Sequence, residues 1–189
     1  MPAIGDGTAE AVHAFAIAHA WLTVPVIVVT AAGIVLCPVA LVVIWVRDRR
    51  LRAAVATLIG LGVANKVSHT IGTWHYVRRP FVALDFAPLF PHAPNNSFPS
   101  STVAFGAVAA TVVLLAWRRL GVVLAFGTVV IAFGCIYVGV HYLNDVFVGA
   151  AIGIACGAAA WFALGWGPAA RLLGAIEQRL PGQLRVDRD

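Results

Sequence analysis

Charged side chains are scarce in this sequence. Of its 189 residues, only 11% are Asp, Glu, Lys or Arg, whereas 61% are hydrophobic. An ordinary soluble domain carries about 25% charged residues. This scarcity argues against a water-soluble domain and indicates that lipid is the main solvent of the chain.

Cysteine is also rare. Metal-binding motifs built on cysteine and nucleotide-binding motifs built on glycine are both missing. The three cysteines, Cys37, Cys135 and Cys156, all fall inside apolar runs, and the sequence contains no CxxC pair and no glycine-rich phosphate loop. We therefore expect no disulfide framework, no zinc site and no cofactor.

Long apolar runs dominate what is present. A helix needs roughly 20 apolar residues to cross a hydrocarbon core about 30 Å thick. The runs are rich in Ala, Val, Leu and Gly, and they do not show the ten-residue alternation of a transmembrane barrel. Five runs meet this length: Trp21–Val46, Leu51–Gly72, Ser97–Trp117, Leu120–Val140 and Val146–Trp166. The sequence predicts an all-α integral membrane bundle of about five transmembrane helices, with residues 1–180 as one domain and 181–189 as a polar cytoplasmic tail.

The N-terminal region predicts a further helix. Its first charges, Asp6 and Glu10, are acidic, which is atypical of a cleaved secretory signal. The segment Ala9–Ala20 suits a helix that lies at the membrane interface or extends the first span. Pro25 and Pro38 should kink or divide that span.

The distribution of basic residues predicts the orientation. Ten of the 13 Lys and Arg residues belong to one set of loops, which the positive-inside rule makes cytoplasmic: Arg47, Arg49, Arg50, Arg52, Arg118, Arg119, Arg171, Arg179, Arg185 and Arg188. The N-terminus is then external, the C-terminus is cytoplasmic and the expected location is the cell membrane. The net charge of +5 is explained by topology, so no nucleic-acid partner is predicted.

Polar residues recur on the external side. Arg78 and Arg79 form a pair, and arginine presents a planar fork of donors that matches phosphate oxygens. Ser100 and Ser101 follow Pro99 at the expected start of a helix, where free backbone N–H groups and the positive helix end can hold an anion. Polar loops and interfacial histidines would explain these residues one by one. Together they indicate an oxyanion site.

His141 and Asp145 complete this set. At i and i+4 they share one helical face. A carboxylate on one imidazole nitrogen fixes the tautomer and leaves the other nitrogen free to attack phosphorus. The pattern taken alone is also compatible with a structural role.

At these residues the sequence resembles the type 2 phosphatidic acid phosphatases, and within them the short bacterial undecaprenyl-diphosphate phosphatases. The resemblance extends from about Asn65 to Gly149 and is carried by Arg79-Pro80-Phe81-Val82-Ala83, Phe90-Pro91-His92-Ala93, Asn96-Ser97-Phe98-Pro99-Ser100 and Tyr137-Val138-Gly139-Val140-His141-Tyr142 with Asp145. It implies a helical bundle whose external site hydrolyses a lipid phosphate or diphosphate without metal. It also implies that His141 is the nucleophile forming a phosphohistidine, that Asp145 orients it, and that Arg79 and Ser100 bind phosphate.

The chain departs from the family pattern at several positions. The family's second motif has a catalytic histidine where this chain has Thr102, and a threonine hydroxyl cannot supply a proton at neutral pH as imidazolium can. The third motif opens with Ser-Arg where this chain has Gly134 and Cys135. The lysine of the first motif is replaced by Gly72.

Lys66 lies within the second span, and an ionised lysine there needs water, a partner or a polar cavity. It could snorkel, or it could project into the phosphate pocket and replace the missing arginine. His92 or His75 could replace the missing acid. Two functions stay open: a phosphatase acting on a polyprenyl diphosphate or related lipid, and a catalytically weakened relative that binds, senses or moves a lipid phosphate.

Overall fold

A computed structural model describes residues 6–48 and 51–179, and in these ranges the regular elements are helices. The predicted tail 181–189 lies outside the described residues. In chain order the elements are α1 (Asp6–Ala18), a short 3-10 turn (Ala20–Leu22), α2 (Thr23–Asp48), α3 (Leu51–Trp74), α4 (Pro80–Ala83), α5 (Ser101–Ala116), α6 (Arg118–Tyr137), α7 (Leu143–Leu164) and α8 (Gly167–Arg179).

Each of the five predicted spans corresponds to one long helix, namely α2, α3, α5, α6 and α7. Among the described residues, α6 and α7 are long and apolar enough to cross a membrane on their own, and α1 with the first part of α2 would count as one broken span. The α5 helix is apolar but has 16 residues. It begins at Ser101, just after Pro99 as expected, so the apolar run Ser97–Trp117 is longer than the helix, and Ser97–Ser100 form a bent loop before it.

The break near the N-terminus lies before Pro25 and not at either proline. The axis bends by 93° between residues 7–18 and 20–35, so α1 lies nearly across the bundle end, as an interfacial helix would. Pro25 falls in the first turn of α2, where its missing N–H has no helical partner to lose. Pro38 lies inside α2, which continues through it.

The α5 helix lies at the centre of the bundle and packs against α7, α6 and α3, while α2 packs against α6. Gly149 and Gly153 of α7 face α5 so closely that a Cβ atom on either would overlap the backbone oxygen of Ser100 or Ala104. Small residues allow this approach between membrane helices. As a result, the first turns of α5 and α7 lie side by side.

The outer surface of the bundle is apolar. Phe126, Phe147 and Phe162 are each more than half exposed, whereas the core is built mostly from alanine and valine. Large apolar side chains pointing outward are expected where the surrounding solvent is lipid.

Candidate active site

His141 lies in the short loop that joins α6 to α7. Gly139 in this loop has a φ of +78°, a conformation that suits glycine. The resulting turn directs the backbone N–H groups of Val140 and His141 onto the carbonyl oxygen of Cys135, at 3.1 and 3.3 Å. The end of α6 therefore fixes the position of the His141 backbone.

The Nδ1 atom of His141 faces two polar partners. It lies 3.5 Å from Oδ2 of Asp145 and 3.4 Å from Oγ of Ser97. The Ser97 hydroxyl donates a hydrogen bond to that same Asp145 oxygen, and the Tyr142 N–H donates to it at 2.8 Å. With Nδ1 on this side, the ring nitrogen left for chemistry is Nε2.

Burial lowers the pKa of His141, since desolvation disfavours the imidazolium form. The hydrogen bond with Asp145 acts in the opposite direction, and the nearby Arg79 charge adds to the lowering. The neutral ring carries a lone pair on one nitrogen, which is the state a nucleophilic histidine requires.

Arg79 is buried against the same loop. Its Nη1 donates to the Val140 carbonyl at 2.8 Å, its Nε to Oδ1 of Asn95 at 2.9 Å, and its Nη2 to the Asn96 carbonyl at 3.2 Å. A guanidinium has five N–H donors, so one N–H on each Nη atom is left beside the nucleophile loop. Arg79 thus lies against the loop that carries His141, and most of its N–H donors are already bound to protein oxygens.

The backbone amide of Ser100 does not have the role that was predicted from its position at the start of α5. Its backbone N–H donates to the Asp145 carbonyl at 3.0 Å, so the expectation of a free amide at Ser100 is wrong. Its side-chain hydroxyl is buried without a hydrogen-bond partner among the described residues. In the described part of the chain, the unpaired amides at the start of α5 belong to Ser101, which is half-buried, to Thr102 and to Val103.

A cavity of about 160 Å³ opens beside His141. Two of the positions at which the chain departs from the family pattern, Thr102 and Cys135, line it, and so does His92. The remaining wall is mostly apolar and consists of Ile27, Thr30, Ala31, Ile34, Phe90, Val138 and Val140.

Two basic residues expected at the site lie elsewhere. Lys66 is exposed on α3 and does not line this cavity. The reason is helical geometry: Ala64 is buried against α5 and α7, and a residue two positions later points away from that interface. The suggested replacement of the missing arginine by Lys66 is therefore wrong. Arg78 is also exposed and pairs through its backbone with Asn96.

Three polar residues of the site were not singled out from the sequence as site residues. Ser97 is fully buried and bridges toward His141 and Asp145. Asn95 and Asn96 hold Arg79, and the Asn96 side chain also donates to the Gly72 carbonyl at 2.8 Å. The available signal was the polar run Asn95–Ser97 in an otherwise apolar region.

Comparison with known proteins agrees with this arrangement. The PAP2 superfamily matches residues 51–167, more than half of the chain. Undecaprenyl-diphosphatase BcrC of Bacillus subtilis is 29% identical over 155 residues, covering 78% of each chain. Putative undecaprenyl-diphosphatase YbjG of Escherichia coli is 35% identical over 142 residues, covering 71% of this chain and 69% of the relative.

Two solved structures share the fold. LpxE of Aquifex aeolicus superposes with a TM-score of 0.69 at 27% identity, covering 84% of this chain and 94% of that one. The first transmembrane PAP2-type phosphatidylglycerolphosphate phosphatase from Bacillus subtilis gives a TM-score of 0.60 at 19% identity, covering 96% and 90%. This chain belongs to the PAP2 superfamily and is a membrane phosphatase.

Proposed function

We propose that the chain hydrolyses a polyprenyl diphosphate or a related lipid phosphate through a phosphohistidine at His141. The observation that carries this proposal is the orientation of the ring: Nδ1 faces Asp145 and Ser97 while the residue lines a cavity. The named activities of the Bacillus subtilis and Escherichia coli relatives support the choice of a polyprenyl diphosphate.

The reaction has two steps. The Nε2 atom of His141 attacks the terminal phosphorus, an N–P bond forms, and the P–O bond to the rest of the substrate breaks. Water then cleaves the N–P bond and inorganic phosphate leaves. The remaining N–H donors of Arg79 and the unpaired amides at the start of α5 are suited to stabilise the transferring phosphoryl charge.

A diphosphate suits this particular site. When the anhydride bond breaks, the leaving oxygen belongs to a lipid monophosphate, which accommodates negative charge far better than an alkoxide. The demand for a proton donor is therefore lower, and Thr102 in the cavity offers no imidazolium to supply one.

The size of the cavity indicates which part of the lipid substrate it can hold. A cavity of about 150 Å³ accepts a molecule the size of benzene, so the space of about 160 Å³ beside His141 is large enough for a phosphoryl group and too small to hold a whole polyprenyl chain. Ile27, Ala31 and Ile34 provide an apolar wall, along which the lipid part can remain in the bilayer.

The site is proposed to face the outside of the cell membrane. Contacts between Arg79 and Val140 and between Ser100 and Asp145 join the loops at one end of the bundle. Arg52 donates to the Trp161 carbonyl at 2.7 Å near the other end of α7. Arg52, one of the ten basic residues predicted to be cytoplasmic, thus lies at the opposite end of the bundle from the cavity, and the positive-inside rule makes that end cytoplasmic.

A weakened, lipid-phosphate-binding relative is the second candidate. It is favoured by Thr102 and Cys135, which line the cavity where imidazole and guanidinium groups are expected. Losing one charge-stabilising donor costs about 10²–10³ in rate, and losing acid–base catalysis about 10²–10⁴.

A phosphate-release assay in detergent tests the proposal, with farnesyl diphosphate, undecaprenyl diphosphate and phosphatidic acid as substrates and His141→Ala as the comparison. We expect release from the diphosphates, and acid-labile radiolabel on the wild-type protein that His141→Ala does not acquire. Activity that survives His141→Ala would overturn the phosphohistidine. Tight binding of farnesyl diphosphate without phosphate release would establish the second candidate.

A further inference from the structure

One hydroxyl interrupts the apolar wall that α2 contributes to the cavity. Thr30 is 8% exposed and lines the cavity together with His141, Thr102 and Cys135. The other α2 residues of the wall, which include Ile27 and Ile34, are apolar. A single polar group placed among such residues is typical of a site that fixes the orientation of a ligand.

The other buried helical threonines of the described chain satisfy their hydroxyls locally. Thr57 donates to the Ala53 carbonyl and Thr128 to the Leu124 carbonyl, both at 2.8 Å. This bond to the preceding turn is the usual solution for threonine in a membrane helix. Thr30 makes no such bond within residues 6–48 and 51–179, so its O–H group is available to whatever occupies the cavity.

The hydroxyl of Thr30 lies against a glycine of the neighbouring helix. A Cβ atom built on Gly134 of α6 would overlap Oγ1 of Thr30, so this oxygen occupies the space that a side chain at position 134 would take. The close packing of α2 on α6 places the hydroxyl next to Cys135. The carbonyl oxygen of Cys135 accepts a hydrogen bond from the backbone N–H of His141.

We propose that Thr30 is a substrate-contact residue whose hydroxyl donates a hydrogen bond to an oxygen of the phosphoryl group attacked by His141. The inference rests on the proposed function. It gives α2, which lies outside the region matched by the superfamily, a polar role in recognising phosphate. Gly134 is required because any side chain there would displace the hydroxyl.

Three variants test the hydroxyl itself. Thr30→Val keeps the shape and removes the O–H, and we expect kcat/KM for farnesyl diphosphate to fall about 10-fold or more, the effect of losing a hydrogen bond to a charged group. Thr30→Ser retains the donor and should stay within about threefold of the wild type. Thr128→Val is the matched control, because its hydroxyl is bound to the backbone of its own helix, and it should leave kcat/KM unchanged.

A swap between the two helices gives a sharper test. In Thr30→Gly/Gly134→Ser the hydroxyl is supplied by α6 into the space vacated on α2. Glycine is needed at position 30 because the Thr30 Cβ lies only 2.8 Å from a Cβ built on Gly134. We expect Thr30→Gly alone and Gly134→Ser alone to lose activity, the second through overlap with Thr30, and the double variant to recover part of it. Thr30→Gly/Gly134→Ala refills the same space without a hydroxyl, so recovery with serine but not with alanine at position 134 requires a hydroxyl at this place.

The outcomes separate this inference from the proposed function. If His141→Ala is inactive and Thr30→Val equals the wild type in both kcat/KM and farnesyl diphosphate binding, Thr30 does not contact the substrate although the function stands. If the wild type binds farnesyl diphosphate without releasing phosphate, the proposed turnover fails, and weaker binding by Thr30→Val would still support the contact. Unchanged melting temperatures show that the variants fold.

Discussion

Ser97 donates its hydroxyl hydrogen to the Asp145 carboxylate, on the same oxygen that faces Nδ1 of His141. The two residues are far apart in sequence, and the bond joins the loop before α5 to the first turn of α7. The nucleophile is therefore oriented by a carboxylate that is itself held in place from a second segment.

Replacing Ser97 by alanine should lower kcat for diphosphate hydrolysis about 10-fold, because Asp145 loses the donor that fixes its oxygen. KM should change little, since Ser97 is buried and oriented toward Asp145. Steady-state kinetics in detergent measures this split. Ser68→Ala is the matched control, since the Ser68 hydroxyl is equally buried but unpaired among the described residues. An equal loss in both variants would contradict a positioning role for Ser97.

The acid limb of the pH profile should lie below the ordinary histidine pKa of about 6.5. His141 attacks only when neutral, and a pKa lowered by burial keeps the ring neutral to more acidic pH. The measurement is kcat/KM against pH, which reports ionisations of the free enzyme.

Asp145→Asn provides the internal comparison for this profile. The hydrogen bond that His141 donates to Asp145 raises the His141 pKa, so its loss should move the acid limb still lower while kcat falls at least about 100-fold through a wrong tautomer. A limb that lies above pH 6.5 in the wild type, or one that Asp145→Asn shifts upward, would contradict a buried neutral His141 as the nucleophile.

Much of the architecture follows from local sequence properties. Five apolar runs predicted the five long helices, because the length needed to cross lipid is a property of each segment alone. The pairing of His141 with Asp145 was also predicted, but the reason given for it was wrong. His141 lies in the loop before α7 and not on a helix, so the two residues meet across the N-terminus of α7 and do not share one helical face. The superfamily assignment confirmed the family resemblance read from Arg79, Ser100 and His141.

The remaining details depend on how distant segments pack. Nothing local indicates that the Ser100 amide is taken up by the Asp145 carbonyl, since this bond exists only because glycines let α7 approach α5. The outward direction of Lys66 depends on which face of α3 meets α5 and α7. The role of Thr30 needs the contact between α2 and α6, and no motif marks that residue.

His92 is the better placed of the two histidines that could replace the missing acid. It lines the cavity, whereas His75 packs edge-on against Phe98. If His92 protonates the leaving oxygen, His92→Gln should lower kcat about 10²-fold or more and remove an alkaline limb from the pH profile. His75→Gln should do neither. Equal profiles for His92→Gln and the wild type would show that His92 is not the acid.

Thiol labelling of intact cells should place the loop between α4 and α5 outside. Asn95 is unsuitable as the labelling position because its side chain holds Arg79, so Ala87→Cys, an exposed position, is preferred. Ala175→Cys on α8 is the cytoplasmic counterpart. We expect an impermeant maleimide to label Ala87→Cys directly and Ala175→Cys only after permeabilisation, each measured above the wild-type protein. The reverse pattern would overturn the topology.

Restoring the two unusual cavity residues should raise turnover. Thr102→His would supply a proton donor for the leaving oxygen, and Cys135→Arg would supply a donor fork for the transferring phosphoryl group. Both positions line the cavity with His141, so the new side chains have direct access to the substrate. Each replacement should increase kcat about 10-fold or more, with the larger gain for a phosphate monoester, whose alkoxide leaving group needs the proton most.

The comparison between substrates shows whether the native Thr102 limits the range of substrates that the enzyme hydrolyses. If Thr102→His increases hydrolysis of phosphatidic acid far more than that of farnesyl diphosphate, the native threonine restricts the enzyme to substrates with a good leaving group. Because both replacements act on one transition state, their effects need not add, and the double variant must be measured beside each single one. Adding His141→Ala to the double variant should abolish activity in every case. If the double variant shows no gain on any substrate while farnesyl diphosphate already binds tightly, the cavity is built for binding, and the phosphatase mechanism does not operate in this chain.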